Sequence, residues 1–597
     1  MQVNRDNFPA IFPKFVQLLQ TCDFFSFDEE MTGINTPDLP ECITDTPEES
    51  YRAKSTVASR YNIIQVGICL FHKEKDATKS APAQYIARPF NFLLFPNHAD
   101  DFTAAERSRD VVLSPSSLSF LRRHDMNFQY WVYNGMAYCD GVQEEALRKK
   151  HQEKYQKEVF DTKTDAKRKD TQGIDLMTED EKKWFDNAVA TAQAFSDRIQ
   201  AALERAANEK HSDVVFPSQS MVEVAASMDL LQSGGREVFL PPQRSKNVRE
   251  KFERYLEQNI PNISLTFRRQ GVMQSGTLHA IFPEERSRML IKEQTHRERE
   301  LMDMLGFRLV FKALAESNKP CVGHNCFADI LFLFASLEGP LPGTLLEFKE
   351  RMRQVFPIVF DTRYIASRQD YFPVGRFGSR YLSGYFGEYG FHSANVHVTL
   401  PLGFESYDPL TVERSSFGSK GGGGGPTHEA GYDALLTGTL LLNLLAEIGF
   451  DGVSNAPNCL VNRISLFRSL YALNLSNTEE EGEYLPRSGV LELRHEKHIR
   501  SHHLDSCFSA LSMQGVVLHS VDETCTLAVL PPSWAKSCGV ETADVGWLSS
   551  HVTSRFPQHF EATAYRPIPV GGVRGGGGGL RATPKSLMRF VFRSLVR

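Results

Sequence analysis

Apolar and polar residues alternate, or recur at helical spacing, near the start of the chain, and this pattern predicts a helix followed by strands. The predicted elements are a helix over residues 11–19 and strands over residues 62–71 and 85–95. Between them, Phe25 and Phe27 alternate with Ser26, Asp28 and Glu30, as expected where an apolar strand emerges at the edge of its sheet. Asp28 and Glu30 therefore share one face of that strand.

Two later apolar stretches predict one buried strand and two helices. Residues 320–325 are predicted to form a short strand that ends in Gly-His-Asn, and a helix from Phe327 carries Asp329 in its first turn. Residues 434–445 predict the second helix, which follows the glycine run at 421–425 and the string HEAGYD.

His428 and Asp433 lie five residues apart at the start of this second helix. On a continuous helix, two such side chains diverge by ~140°. They can meet at one site only if His428 precedes the first turn, and the flexible glycine run before it allows this.

The middle and the end of the chain contain further patterns. Residues 143–183 are dense in Lys, Glu and Asp without apolar periodicity, which predicts a solvated helical linker or a partly disordered one. Residues 184–285 predict a second apolar unit, and residues 284–315 predict one or two amphipathic helices that return the chain to the first unit. After residue 462, short alternating strands and a helix near residues 504–511 predict a small β-α-β-β domain.

The C-terminal tail from residue 562 contains no acidic residue and combines a glycine run with scattered arginines. Leu587, Phe590, Val591 and Leu595 line one helical face of it. Such a basic amphipathic end suits RNA, an acidic membrane surface or a groove on a partner, and the sequence leaves all three open.

Length and composition restrict the class of protein. A chain of 597 residues with 41% hydrophobic content is expected to form several domains with real cores. The formal charge of −6, from 67 basic and 73 acidic residues, gives no global nucleic-acid signature, so an RNA groove must come from local clustering. The sequence has ten cysteines without CxxC spacing, no signal peptide at its start and no apolar run that could span a bilayer. These features predict an intracellular protein, in the cytoplasm or the nucleus.

The pair Asp28 and Glu30 has a simple chemical interpretation. Two carboxylates side by side repel each other unless a cation lies between them, and hard oxygen ligands suit Mg²⁺ or Mn²⁺ better than zinc. Such pairs are common at strand ends, so the pair indicates a metal site only together with the two later patches. Glu29 points to the opposite face of the strand, and we expect it to be dispensable.

The three patches resemble a known family. A D-x-E pair on a first strand, an Asp that opens a later helix and a His five residues before an Asp on a final helix are the pattern of the DEDD-type 3′ to 5′ exonucleases, histidine subclass. The strings FFSFDEEMTGI, CVGHNCFADILF, VFDTRYIAS and HEAGYDALLTG look like the poly(A)-specific ribonuclease family in particular, over most of residues 1–530. Roughly 300 residues separate Glu30 from Asp329, so a whole domain must be inserted between them.

This resemblance implies a site and its chemistry. The catalytic residues would be Asp28, Glu30, Asp329, His428 and Asp433. Asp28, Glu30 and Asp433 would hold one Mg²⁺, and Asp28 and Asp329 would hold a second, with Mn²⁺ able to substitute. His428 would accept the proton of the attacking water, and the product would be 5′-AMP. Residues expected to contact the RNA are Met31, Ile34, His324 and Asn325, whereas Asp361 is expected to be a structural or secondary carboxylate.

The resemblance also implies an α/β fold class: an RNase H-like mixed-sheet exonuclease core with an inserted small α/β domain and a C-terminal RNA-recognition-motif-like domain. The expected boundaries are 1–142 and 286–455 for the core, 143–183 for a charged linker, 184–285 for the inserted domain, 456–555 for the C-terminal domain and 556–597 for a Gly-rich basic tail. The family carries a nucleic-acid-binding module at the insertion, named for an arginine and a histidine separated by three residues. That spacing is missing here, so RNA binding by the inserted domain stays open.

Relatives in this family bind the methylated 5′ cap by stacking it on a tryptophan of the recognition-motif domain. The matching stretch here is HSVDET, in which Ser520 stands at the stacking position and offers no π-face. Trp534 could substitute only if the chain folds back. We therefore expect little or no cap binding.

The sequence thus predicts a metal-dependent 3′ to 5′ exoribonuclease that shortens the poly(A) tails of mRNA, acting as a homodimer on single-stranded RNA. Two alternatives remain. The chain could trim the 3′ ends of other nucleic acids such as small non-coding RNAs, or it could be a catalytically silent RNA-binding scaffold. The intact set of four acidic residues and one histidine argues against a silent protein.

Overall fold

A computed structural model describes residues 1–36, 45–74, 82–97, 110–124, 126–169, 177–208, 219–270, 273–368, 370–372, 376–377, 381–407, 429–467, 469, 471–477, 481–482, 489–499, 501–513, 516–520, 524–530 and 545–565. The strands are β1 (Gln2–Val3), β2 (Phe24–Met31), β3 (Ile63–Lys73), β4 (Ala83–Leu93), β5 (Glu237–Phe239), β6 (Ile263–Gln270), β7 (Met273–Ala280), β8 (Cys321–Gly323), β9 (Val359–Asp361), β10 (Val396–Thr399), β11 (Arg463–Ser465), β12 (Tyr471–Asn474), β13 (Glu481–Gly482), β14 (Val490–His495), β15 (Val517–Ser520), β16 (Cys525–Val529) and β17 (Phe560–Ala564). The helices are α1 (Phe8–Thr21), α2 (Pro47–Arg60), α3 (Pro115–Arg123), α4 (Phe128–Asn134), α5 (Gly141–Lys169), α6 (Glu179–Asn208), α7 (Gln219–Gln232), α8 (Lys246–Asn259), α9 (Pro283–Leu305), α10 (Phe307–Ser317), α11 (Phe327–Leu333), α12 (Leu345–Val355), α13 (Thr362–Ser367), α14 (Leu382–Gly387), α15 (Ala430–Glu447), α16 (Ser501–Ala510) and α17 (Val545–Arg555).

A large mixed sheet dominates the first of two compact units, which comprises residues 1–147 and 302–597. Its strand order is β1-β4-β3-β2-β8-β9-β11-β12-β13, and β10 pairs with β4 as well. β3 runs antiparallel to both β2 and β4, whereas β8 and β9 run parallel to β2. The central order β4-β3-β2-β8-β9 gives the RNase H-like core that the sequence predicted.

The two faces of β2 bury different cores. Phe24 packs with Phe71 and the apolar residues of α15 on one face. Phe25 and Phe27 pack on the other face, in the core that also contains residues of α1, α10, α11 and α12. The strict alternation of the sequence therefore places Asp28 and Glu30 on the α15 side of the sheet.

α9 and α10 are two helices rather than one, because Gly306 interrupts them. Its φ of 48° lies in the left-handed region, and a Cβ atom there would lie 1.9 Å from the carbonyl oxygen of Ala137. Only glycine fits this close approach. The break settles the alternative that the apolar pattern of residues 284–315 left open.

The second compact unit comprises residues 148–301. It contains a three-stranded antiparallel sheet in the order β5-β7-β6, and α6, α7 and α8 supply its core through Phe195, Leu230 and Phe252. Most of the segment predicted as a charged linker is helical, since α5 continues to Lys169 and α6 begins at Glu179. The boundaries proposed for the linker and the inserted domain stay predictions.

A four-stranded antiparallel sheet with the order β15-β16-β14-β17 forms near the C-terminus. Together with α16 and α17 it follows the β-α-β-β-α-β arrangement of ferredoxin-like domains. The sequence predicts a start of this domain at residue 456, but β11, β12 and β13 extend the large sheet instead, and the small sheet begins at Val490. Strand periodicity identifies a strand but not the sheet that it joins, which explains this difference.

The face of this small sheet that lies away from α16 and α17 combines apolar residues with an ion pair and has no aromatic ring on its central strands. Val490, Leu527 and Val529 form a buried cluster there, against which Tyr471 of the large sheet packs. Glu492 and Arg494 form an ion pair on β14, with 2.6 Å between nitrogen and oxygen. The resemblance of this C-terminal domain to an RNA-recognition motif stays a prediction.

Within the described ranges, no helix is both long enough and apolar enough to cross a membrane.

Candidate metal centre and active site

Three carboxylates meet on the α15 face of the sheet. Asp28 and Glu30 come from β2, and Asp433 comes from the first turn of α15. One carboxylate oxygen of each lies within 4.8 Å of those of the other two, and all three side chains are partly buried. Two come from a single strand, and the third comes from a helix some 400 residues later in the chain.

Close backbone approaches set the position of α15. Gly67 of β3 stands opposite Asp28, and a Cβ atom on it would lie 1.9 Å from the carbonyl oxygen of Ala430. Ser26 Oγ donates a hydrogen bond of 2.6 Å to the carbonyl oxygen of Ala434. The small residues of β2 and β3 thus let the start of the helix lie directly on the sheet and bring Asp433 to Asp28.

Asp329 joins the cluster from α11. The chain leaves β8 at Gly323 and passes through Asn325, whose φ of 56° is left-handed. The amide of Asn325 donates to Asp361 Oδ1 at 2.9 Å, which fixes the turn before the helix. The charge of Asp329 raises the pKa of both Asp28 and Glu30, so the fourth acidic residue lies near these two, outside the group of three whose oxygens lie within 4.8 Å.

The acidic residues of this cluster have raised pKa values because they are buried and lie close to other negative charges. Burial raises the pKa of Asp28 well above its usual range, and the charges of Asp433, Asp329 and Glu30 raise it further. Burial also raises the pKa of Glu30, and it raises the pKa of Asp329 to about 7. A divalent cation would remove both the repulsion and the desolvation cost, so these residues fit the hard cations expected from the sequence.

Asp361 has a structural role. It is fully buried at the end of β9 and begins α13, where its Oδ1 accepts the amides of Arg363 and Tyr364. Its Oδ2 accepts the amide of Ser465 at 3.0 Å. Together with its bond to Asn325, it ties β9, α13, β11 and the turn before α11 together.

The four residues proposed to contact RNA have different surroundings. Ile34 is 53% exposed, whereas Met31 is buried. His324 Nδ1 lies 2.9 Å from Thr362 Oγ1, and burial lowers the pKa of His324 to about 3, so that the ring is neutral. The buried Oδ1 of Asn325 has no hydrogen-bond partner among the described residues. Contact of these four residues with RNA stays a prediction.

His428 and the glycine run at 421–425 lie outside the described residues. α15 begins at Ala430 with Glu429 as its N-cap, so the helix starts after His428 in the sequence. The role of His428 stays a prediction.

Sequence reasoning missed the contacts that hold the start of α15. Tyr407, which is 2% exposed, donates a hydrogen bond from its hydroxyl to Glu429 Oε1. Asn91 Oδ1 accepts the amide of Gly431 at 3.1 Å. These bonds join positions far apart in the sequence, and no local pattern marks them. The string HEAGYD includes Glu429, but nothing in it indicates a tyrosine partner.

The chain is similar to proteins that are named as ribonucleases or exonucleases. The chain matches the model of the CAF1 family ribonucleases over residues 3–441. It is 25% identical to the poly(A)-specific ribonuclease PARN of Xenopus laevis over 453 residues, which are 75% of this chain and 63% of the relative. It is 23% identical to the pre-piRNA 3′-exonuclease trimmer of Bombyx mori over 368 residues, which are 61% of this chain and 58% of that relative. The chain thus spans about three fifths of the length of these curated relatives.

A solved structure of S. pombe Pop2p, in a form with Mg²⁺ and Mn²⁺ bound, was also matched. The match covers 78% of this chain and 98% of Pop2p, with 12% sequence identity and a TM-score of 0.33.

Proposed function

The chain belongs to the CAF1 family of ribonucleases, and on this premise we propose that it is a metal-dependent 3′ to 5′ exoribonuclease that shortens poly(A) tails and releases 5′-AMP. The observation that carries the proposal is the convergence of Asp28, Glu30 and Asp433, with oxygens within 4.8 Å, beside Asp329. A cluster of carboxylates of this kind could hold the divalent cations that assist hydrolysis of a phosphodiester.

The chain supplies a place for each part of the reaction. When bound, two divalent cations would provide the activated water and the stabilisation of the leaving 3′ oxygen. Asp28, Glu30 and Asp433 would hold one of them, and Asp28 with Asp329 would hold the other. His428 would accept the proton of the attacking water. The residues that would contact RNA are Met31, Ile34, His324 and Asn325.

Poly(A) is the preferred substrate class because the Xenopus relative is named for it and is similar over 75% of this chain. A second candidate is trimming of small RNA 3′ ends, since the Bombyx relative is named for that activity. A homodimer formed through the nuclease core, and action in the cytoplasm or the nucleus, belong to the same proposal.

A 5′-labelled RNA that ends in poly(A) tests the proposal, in parallel with RNA ending in poly(U) and with single-stranded DNA. We expect stepwise shortening from the 3′ end and release of 5′-AMP in Mg²⁺, and no reaction in chelator. Equal rates on poly(A) and on heterogeneous 3′ ends would favour trimming of small RNAs. No hydrolysis of any substrate would support the silent scaffold.

A further inference from the structure

Glu29 stands between the two metal ligands of β2 in sequence but lies on the opposite face of the strand. Its neighbours on that face are Phe27 and Met31, which belong to the core shared with α11. The α15 face, in contrast, carries Ser26 with its bond to Ala434. Glu29 is therefore a carboxylate on the apolar side of the sheet.

This carboxylate is buried without compensation. Only 6% of Glu29 is exposed, and neither Oε1 nor Oε2 has a hydrogen-bond partner among the described residues. Buried carboxylates are ordinarily paired or hydrogen-bonded, because an ionised oxygen removed from water otherwise loses its solvation. An acceptor of this kind needs a donor, and none of the residues that the structure describes provides one.

The helix that carries Asp329 lies on the same side of the sheet. β8 pairs with β2 only at Phe25 and Ser26, and the chain then turns away at Gly323 into α11. A Cβ atom on Gly323 would lie 3.1 Å from the ring of Phe27, so this turn packs against the face that carries Glu29. Next to burial, the charge of Asp329 is the strongest influence that raises the pKa of Glu29, ahead of that of Asp28.

We propose that Glu29 is a fifth acidic group of the metal site, which binds the water ligands of the divalent cation held by Asp28 and Asp329. Contact through water fits the geometry, because among the described residues Glu29 is not part of the group of three carboxylates, Asp28, Glu30 and Asp433, whose oxygens lie within 4.8 Å of one another. It also fits Mg²⁺, which keeps several of its waters when bound to proteins. The water ligands supply the missing donors, and the cation offsets the added negative charge.

This inference rests on the metal site of the proposed function and changes one expectation from the sequence. In the D-x-E pair, the side chain of the middle residue points to the opposite face of the strand, and the sequence therefore predicts that Glu29 is dispensable. Here the charge of Asp329 acts on the middle residue, so the proposed acidic site includes both faces of the sheet at the end of β2.

Glu29→Gln tests the role, because it keeps the size of the side chain and removes its charge. Calorimetric titration of the full chain with Mn²⁺ should find two sites in the wild type. In Glu29→Gln, the weaker site should lose roughly 10- to 100-fold in affinity while the tighter site is unchanged. The Mg²⁺ concentration for half-maximal release of AMP should rise by a similar factor, and Glu29→Asp should restore most of the wild-type value.

Glu223→Gln is the matched control. Glu223 is also buried, but it accepts the amide of Glu284 within the other compact unit. The Glu223→Gln variant should bind Mn²⁺ as the wild type does, and its rate of AMP release should depend on the Mg²⁺ concentration in the same way. A purely structural role of Glu29 would lower the melting temperature of Glu29→Gln in chelator, whereas the proposed role leaves it equal or raises it.

Unchanged affinity at both Mn²⁺ sites in Glu29→Gln would overturn the inference. A wild type that binds no Mn²⁺ would overturn both the inference and the metal site on which it rests. A wild type that binds two Mn²⁺ ions, loses one in Glu29→Gln and degrades no RNA would support the inference and refute the proposed substrate.

Discussion

The acidic residues contribute unequally to folding and to function. In the metal-free protein, Asp28, Glu30 and Asp329 are unfavourable to folding when ionised, since burial and mutual repulsion raise their pKa values. Removal of one of them should relieve repulsion while it removes a metal ligand. Activity and stability are therefore expected to change in opposite directions.

Asp28→Ala and Asp329→Ala should each abolish release of AMP in Mg²⁺ and leave the fold and RNA binding largely intact. Asp451→Ala serves as the control, because Asp451 is an exposed carboxylate paired with Lys73. Initial rates and melting temperatures would be compared for the three variants. If either ligand variant keeps more than a few per cent of the wild-type rate, the two-metal assignment is wrong.

We expect Tyr407 to act on the site through Glu429 rather than by contact with a metal ligand. Tyr407→Phe leaves the half-buried Glu429 carboxylate without this donor, which costs about 1–3 kcal/mol. We expect a rate roughly tenfold lower, with Mn²⁺ affinity unchanged because all four acidic ligands remain. Tyr133→Phe, at a 71% exposed tyrosine, should have no effect. A normal rate in Tyr407→Phe would show that Glu429 needs no hydroxyl partner.

At the scale of elements, the decisive contact is that of α15 with β2, β3 and β4. A helix usually lies well above a sheet because side chains separate the two, but glycines at the contact allow a closer approach. A Cβ atom on Gly438 would lie 2.1 Å from the ring of Phe71 and 2.8 Å from Ser26 Oγ. The position of Asp433 therefore depends on glycines that take no part in the proposed reaction.

Gly67→Ala should displace the start of α15 from β3, since the added methyl group would lie 1.9 Å from the Ala430 carbonyl oxygen. Overpacking of this kind costs roughly 1–3 kcal/mol. We expect a lower melting temperature and at least a tenfold lower rate. Gly343→Ala is the control, because nothing lies within 4 Å of its Cβ position. Equal activity of the two variants would contradict the close approach.

The C-terminal sheet offers little to a nucleobase or a cap. The central strands β14 and β16 show no aromatic ring on the face away from α16 and α17, Ser520 ends β15, and Trp534 lies outside the described residues. Stacking worth about 1–3 kcal/mol per base is therefore expected to be missing. Addition of a methylated cap to the RNA should not accelerate shortening, and titration with cap analogue should not quench tryptophan fluorescence. Quenching that disappears in Trp534→Ala would refute this prediction.

At the scale of the whole molecule, the acidic cluster couples stability to pH and to metal. A carboxylate whose pKa is raised on folding binds a proton more tightly in the folded state, so the free energy of unfolding decreases as pH rises from about 4 to the folded pKa. For Asp329 that upper limit is about 7. Bound divalent cations would neutralise the carboxylates in place of protons, so the free energy of unfolding would no longer decrease as pH rises.

In chelator, the melting temperature should therefore be lower at pH 8 than at pH 5 by a few degrees, on the order of 2–4 °C for each kcal/mol. Excess Mg²⁺ should raise it more at pH 8 than at pH 5. Asp329→Asn should flatten the pH dependence measured in chelator. A melting temperature in chelator that rises steadily from pH 5 to pH 8 would be incompatible with the raised pKa values.

Local patterns predicted the parts of the fold that depend on neighbours in sequence. The alternation around Phe25 and Phe27 predicted β2 and the shared face of Asp28 and Glu30, and helical spacing predicted α11 and α15. The start of α15 at Ala430 was predicted less well, because the apolar run indicates only residues 434–445. Helix ends depend on single caps, which periodicity does not report.

The sequence by itself determined which residues are acidic, which strand and helix faces they occupy, and in what order they follow one another. Only the tertiary structure decided that β11 and β12 join the large sheet, that Tyr407 meets Glu429, and that Glu29 is buried on the side of Asp329. The physical reason is the distance along the sequence between the residues that come into contact. A periodic pattern records which side of an element is apolar, whereas the identity of the opposing surface depends on chain segments hundreds of residues away.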